Sequence, residues 1–116
     1  MSKSHEAFWW SLFSAGGVFA ALCIPALIVA TGFLLPNSDP DAAAERAAQL
    51  HGVVSIWPVR LGLLLVIFLS FFHCAHRVRH TLMDVGLRGL ARPLMIVCYG
   101  GALAGTAVAA VLLGTL

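Results

Sequence analysis

The chain has 116 residues, of which 60% are hydrophobic and 10% charged, and its mean hydropathy is +0.95. A soluble domain carries about 25% charged residues, so this composition excludes a soluble globular protein and indicates an integral membrane protein. The formal net charge of +2 is too small to point to nucleic acid, and the basic residues cluster by membrane side instead of spreading over one face.

The first expected element is an apolar helix over about residues 10–35, long enough to cross a hydrocarbon core that takes about 20 residues to span. It contains Gly16, Gly17 and Pro25. Proline lacks a backbone N–H, so a kink is expected near Pro25. The run is too long for a signal-peptide core, begins with Trp9 and Trp10, and meets no clear small-residue cleavage site, which predicts a retained helix. Asp39, Pro40 and Asp41 then read as a cap and first turn, predicting a short helix over about residues 40–50 on the outer membrane surface.

The second span is expected over about residues 56–80. Its apolar run ends in His73, His76, Arg77 and His80, whose spacing of three, one and three residues sets all four on one helical face. A charge held near hydrocarbon is costly unless it pairs, snorkels or meets water, so such a row is a functional-site hypothesis. Asp84, one turn beyond His80, is placed to orient it. The basic link that follows, about residues 78–92, is bounded by Gly86, Gly89 and Pro93 and offers a surface to headgroups or a soluble partner.

The third span is expected over about residues 93–115. Gly101, Gly105 and Ala109 recur every fourth residue, a flat face on which another helix can pack closely. Cys23, Cys74 and Cys98 are far apart in sequence, which indicates neither a CxxC motif nor a disulfide framework but small packing residues. Lys3 precedes the first span and Arg77, Arg79, Arg88 and Arg92 follow the second, against Arg46 and Arg60 in the first link. The positive-inside rule therefore predicts an all-α, three-span protein with a cytoplasmic N-terminus and a periplasmic C-terminus.

In that topology the start of the first span and the end of the second share the cytoplasmic side, so Trp10 and Phe13 come near His76 and Arg77. A quinone suits such a cluster: its flat apolar ring needs aromatic walls, and its two oxygens need a few aimed donors. Trp10 offers a wall and an N–H, Arg77 a charge for a developing oxyanion, and a histidine a group that titrates near neutrality. The plainer reading makes the tryptophans interface anchors and Arg77 and Arg79 partners of lipid phosphates. Haem is a further reading, with His73 best placed to ligate, but this chain would supply at most one axial ligand to a shared haem. No carboxylate lies in the spans, so a buried base must come from another chain, and a proton-coupled drug-efflux protein would lack its embedded acid.

The stretches FWWSLFSAGG (residues 8–17), GFLLP (32–36) and FHCAHRVRHTLMDV (72–85), with Tyr99 and Gly100 opening the third span, resemble the D subunit of bacterial fumarate reductase. The resemblance implies an anchor in the bacterial inner membrane that works with a second anchor subunit, an iron–sulfur subunit and a flavoprotein. It implies no fumarate chemistry here, with FAD and iron–sulfur clusters in the partners only. It further implies a menaquinol pocket on the cytoplasmic side, to which Trp10, Phe13, His76 and Arg77 correspond and to which His80 is a neighbouring polar position. The family's pocket carboxylate belongs to the other anchor. Trp9 stands where phenylalanine is expected, Arg79 where histidine is frequent, and His73 is unexpected in the apolar stretch. The rival is the D subunit of succinate dehydrogenase, a ubiquinone-binding anchor with or without haem b; the FWWSLFSAGG start favours fumarate reductase, and haem b is not expected.

Overall fold

The computed structural model describes residues 3–34 and 39–116, and among these every regular element is a helix. Helix α1 runs Lys3–Val29, α2 Pro40–Val54, α3 Trp57–Asp84 and α4 Ala91–Gly114. A π turn, Ala30–Leu34, extends α1, and a 3₁₀ turn, Leu87–Leu90, leads into α4. Three helical stretches, Ala7–Phe33, Trp57–Asp84 and Leu87–Gly114, are long and apolar enough to cross a membrane. Leu35, the expected end of the first span, and Pro36 lie outside the described residues.

Pro25 lies within α1, and a π turn follows at Ala30–Leu34. A proline and a π turn both interrupt the i→i−4 ladder. The Thr31 hydroxyl donates to the Leu27 carbonyl at 2.8 Å within this stretch. In α2 the Asp39 carboxylate accepts from the Asp41 N–H at 3.1 Å and Pro40 opens the first turn, where its missing N–H costs nothing. The helix continues to Val54, and the Ser55 N–H closes it on the His51 carbonyl at 2.8 Å.

Helix α3 has 28 residues. At about 1.5 Å rise each it is about 42 Å long, against a hydrocarbon core of about 30 Å. One end must therefore extend beyond the apolar layer. It stops at Gly86, whose φ of 118° is left-handed backbone that glycine adopts without strain and whose N–H bonds the Met83 carbonyl at 3.2 Å.

Helix α3 is the centre of the fold: it packs against α1 on one flank and α4 on the other, while α1 and α4 do not pack on each other among the described residues. Only Gly16, Leu69, Ala75 and Ala102 are buried among them. Two of the four lie on α3 and Gly16 faces it from α1, as the central position of α3 requires, and the remaining apolar surface is left for lipid or other helices.

Glycines set the closest approaches. A Cβ on Gly105 would sit 2.7 Å from Phe71 Cε2, so this member of the Gly101–Gly105–Ala109 face receives α3 of the same chain, not a foreign helix. Gly101 remains open, with nothing within 4 Å of a Cβ, on a shallow groove of about 240 Å³ that Phe71, Cys74 and Cys98 help to line. Gly105→Leu is expected to destabilise the folded chain by about 1–3 kcal/mol through overpacking. Gly101→Ala should leave it unchanged within about 0.5 kcal/mol. Denaturant titration of the two variants in detergent measures the contrast, and equal responses would remove Gly105 from the α3–α4 contact.

Candidate functional site

The groups of interest lie where the beginning of α1, the end of α3 and the beginning of α4 come together. On α1, Trp10 and Phe13 are one turn apart and meet edge to face, centroids 6.0 Å apart at 88°. Phe13 turns inward and is half-buried, whereas Trp10 is 60% exposed. On α3, His73 lies flat against the Phe13 ring, 4.4 Å away at 12°, and His76 tilts against the same ring at 4.6 Å. His80 continues the pile one turn later, 4.3 Å from His76.

Two hydrogen bonds lock the histidines. His73 Nδ1 lies 3.0 Å from the Phe13 carbonyl oxygen, and because a carbonyl only accepts, Nδ1 carries the proton. His76 Nδ1 lies 2.9 Å from the Tyr99 hydroxyl of α4. Each bond ties α3 to a different neighbour, so the polar row at the end of α3 also stitches the three spans together.

The backbone makes room for this. A Cβ on Gly16 would be 2.6 Å from the Leu69 carbonyl oxygen, and one on Gly17 would be 2.7 Å from His73 Cε1. The double glycine is a notch that brings α1 against α3 and seats the His73 ring one turn below Phe13. In that seat, between the Phe13 ring and the Gly17 backbone, His73 turns its nitrogen-bearing edge toward α1, with Nδ1 engaged by the Phe13 carbonyl. No group of three or more His, Cys, Asp or Glu side chains fit to hold a metal ion occurs among the described residues.

The structure thus gathers Trp10, Phe13, His73, His76 and His80. It does not bring Arg77 into the ring contacts: that side chain is exposed beside them. Asp84 is also exposed, and no hydrogen bond or ion pair joins it to His80 among the described residues. Arg79 is half-buried, with a buried Nε that has no hydrogen-bond partner. Tyr99 and the glycine notch are the additions that periodicity did not supply. Each left a trace: Tyr99 is the one tyrosine of the chain, set in an apolar helix where its hydroxyl needs a partner, and Gly17 falls four residues after Phe13.

Chemically, the cluster is a set of flat apolar faces interrupted by imidazole nitrogens and an indole N–H, with the guanidiniums of Arg77 and Arg79 nearby. It can stack an aromatic ligand, donate to or accept from its oxygens, and exchange protons with them.

The family model for the D subunit of fumarate reductase matches residues 1–113 of the chain. A fumarate reductase D subunit from Mycobacterium bovis (strain BCG / Pasteur 1173P2) is 37% identical over 116 residues, covering 98% of this chain and 90% of the relative. The protein of the same name from Mycobacterium tuberculosis (strain ATCC 25618 / H37Rv) gives the same figures, 37% identity with 98% and 90% coverage. Its counterpart from Vibrio cholerae serotype O1 (strain M66-2) is 33% identical over 110 residues, covering 94% of this chain and 83% of the relative. No solved structure matches the chain.

Proposed function

Because the chain belongs to the family of fumarate reductase D subunits, membrane anchors of fumarate reductase, we propose that it forms one wall of the complex's menaquinol site. The membership separates this reading from the succinate dehydrogenase anchor. Trp10 and Phe13 provide aromatic faces, His76 and His80 provide proton donors and acceptors, and Arg77 provides positive charge. The chain sits in the bacterial inner membrane with its N-terminus cytoplasmic. A second anchor subunit, an iron–sulfur subunit and a flavoprotein complete the assembly, and the FAD and iron–sulfur clusters belong to those partners.

The observation that carries the reading is the convergence on His76, whose ring meets Phe13 of α1, Tyr99 of α4 and His80 of its own helix. Oxidation of a quinol breaks two O–H bonds, releasing two protons and two electrons. The electrons leave toward the iron–sulfur subunit. The protons need bases at the ring oxygens, and an imidazole, a group whose ordinary pKa is about 6.5, is suited to accept one at physiological pH. A guanidinium nearby favours negative charge on the oxygen as its proton departs.

His76→Ala tests this in the assembled complex. Fumarate reduction driven by a reduced naphthoquinone is expected to fall by about tenfold or more, as for loss of a general base. Reduction driven by a viologen dye, which bypasses the quinol site, should be retained. Unchanged quinol-linked turnover in complex recovered at normal yield would exclude His76 from the site.

A further inference from the structure

We infer that Tyr99 is a positioning residue for the quinol reaction, acting through His76: its hydroxyl holds the imidazole in place and supports either ring tautomer. The inference rests on the proposed quinol site. Its basis is the 2.9 Å contact between Tyr99 Oη and His76 Nδ1, which joins two helices through residues 23 apart in sequence.

His76 has two faces and two nitrogens to be accounted for. Phe13 lies against the ring at 4.6 Å and His80 at 4.3 Å, so packing restrains its tilt. Packing cannot distinguish one nitrogen from the other. The Tyr99 hydroxyl does, by engaging Nδ1 and leaving Nε2 as the nitrogen for an external partner.

A hydroxyl is a special choice of partner. A backbone carbonyl, such as the one Phe13 offers His73, only accepts and fixes a single tautomer. A phenol both donates and accepts. With the Tyr99 O–H donating to Nδ1, Nε2 carries hydrogen and presents a donor to a quinone carbonyl. With Nδ1–H donating to the Tyr99 oxygen, Nε2 is bare and accepts from a quinol hydroxyl. His76 can therefore meet the reduced and the oxidised ligand without losing its support. Tyr99 is itself held by Phe72, ring centroids 6.1 Å apart, which leaves its hydroxyl as the variable part.

Tyr99→Phe removes that hydroxyl and keeps the ring. In the intact complex, naphthoquinol-linked fumarate reduction is expected to lose about tenfold in kcat. KM for the quinol should change by less than about threefold, because the hydroxyl touches His76 and not the ligand. Viologen-linked activity and complex yield should be retained. In a His76→Ala background, or His76→Leu where the alanine variant assembles poorly, adding Tyr99→Phe should cost nothing further, since two members of one unit are not additive.

Normal quinol kinetics in Tyr99→Phe, while His76→Ala alone is impaired, would overturn the positioning role and leave the quinol site standing. The same holds for a loss confined to KM, or one of equal size in both backgrounds, which would mark Tyr99 as a packing residue. An unimpaired His76→Ala complex would overturn the site itself and the inference with it.

Discussion

Gly16→Val is expected to separate α1 from α3 and reduce recovery of the assembled complex several-fold. A Cβ at this position would stand 2.6 Å from the Leu69 carbonyl oxygen and 3.2 Å from His73 Cβ. Both obstacles are backbone or stem atoms of α3, which cannot swing aside as the end of a flexible side chain can. Relief requires the helices to move apart, at a cost of about 1–3 kcal/mol or more for the overpacking. The separation is felt one turn away, where the 3.0 Å bond from His73 to the Phe13 carbonyl and the stacked rings depend on the same approach. Gly62→Ala is the matched control, because nothing lies within 4 Å of its Cβ. Yield of the complex in mild detergent and its thermal midpoint measure both. A Gly16→Val complex as abundant and as stable as the Gly62→Ala complex would refute the notch.

Arg77→Leu is expected to reduce quinol-linked turnover by about 100-fold, in line with removal of a group that stabilises developing negative charge. Viologen-linked fumarate reduction should persist. The comparison with Arg77→Lys separates the two readings of this residue. A positive-inside residue at a headgroup surface needs only charge, which lysine supplies. A planar guanidinium aimed at an oxygen is not replaced by an ammonium on a flexible stem. Near-normal quinol kinetics in Arg77→Lys with loss in Arg77→Leu would favour a charge requirement alone. Normal kinetics in both would place Arg77 among the lipid contacts, a role its exposed side chain also suits.

The two experiments address different depths of the same region. Gly16 governs whether the ring cluster exists, and Arg77 whether its exposed edge takes part in chemistry. The outcome for one does not predict the other, because Arg77 makes none of the cluster's ring contacts.

Much of this was legible from residue order. Composition and run length defined a three-span helical protein because lipid offers backbone groups no partner, and a helix satisfies them within one segment. Helical periodicity put His73, His76, Arg77 and His80 on one face, since that periodicity is a property of the isolated helix. Topology alone brought Trp10 and Phe13 toward the same end. The share of the row given to each neighbour was not legible. His73 turns to α1, His76 meets both α1 and α4, and Arg77 faces outward.

Local sequence thus decided which elements form, where α2 is capped and where α3 ends, because caps, glycine turns and apolar length act within a few residues. Tertiary structure alone decided that α3 is central, that Gly105 accepts Phe71 of its own chain, and that Tyr99 reaches His76. These depend on how far each helix is rotated about its axis and how closely its backbone approaches its neighbour. In a chain whose spans are apolar on nearly every side, periodicity leaves that rotation open; the fit of side chains into glycine notches and the pairing of a few polar atoms settle it.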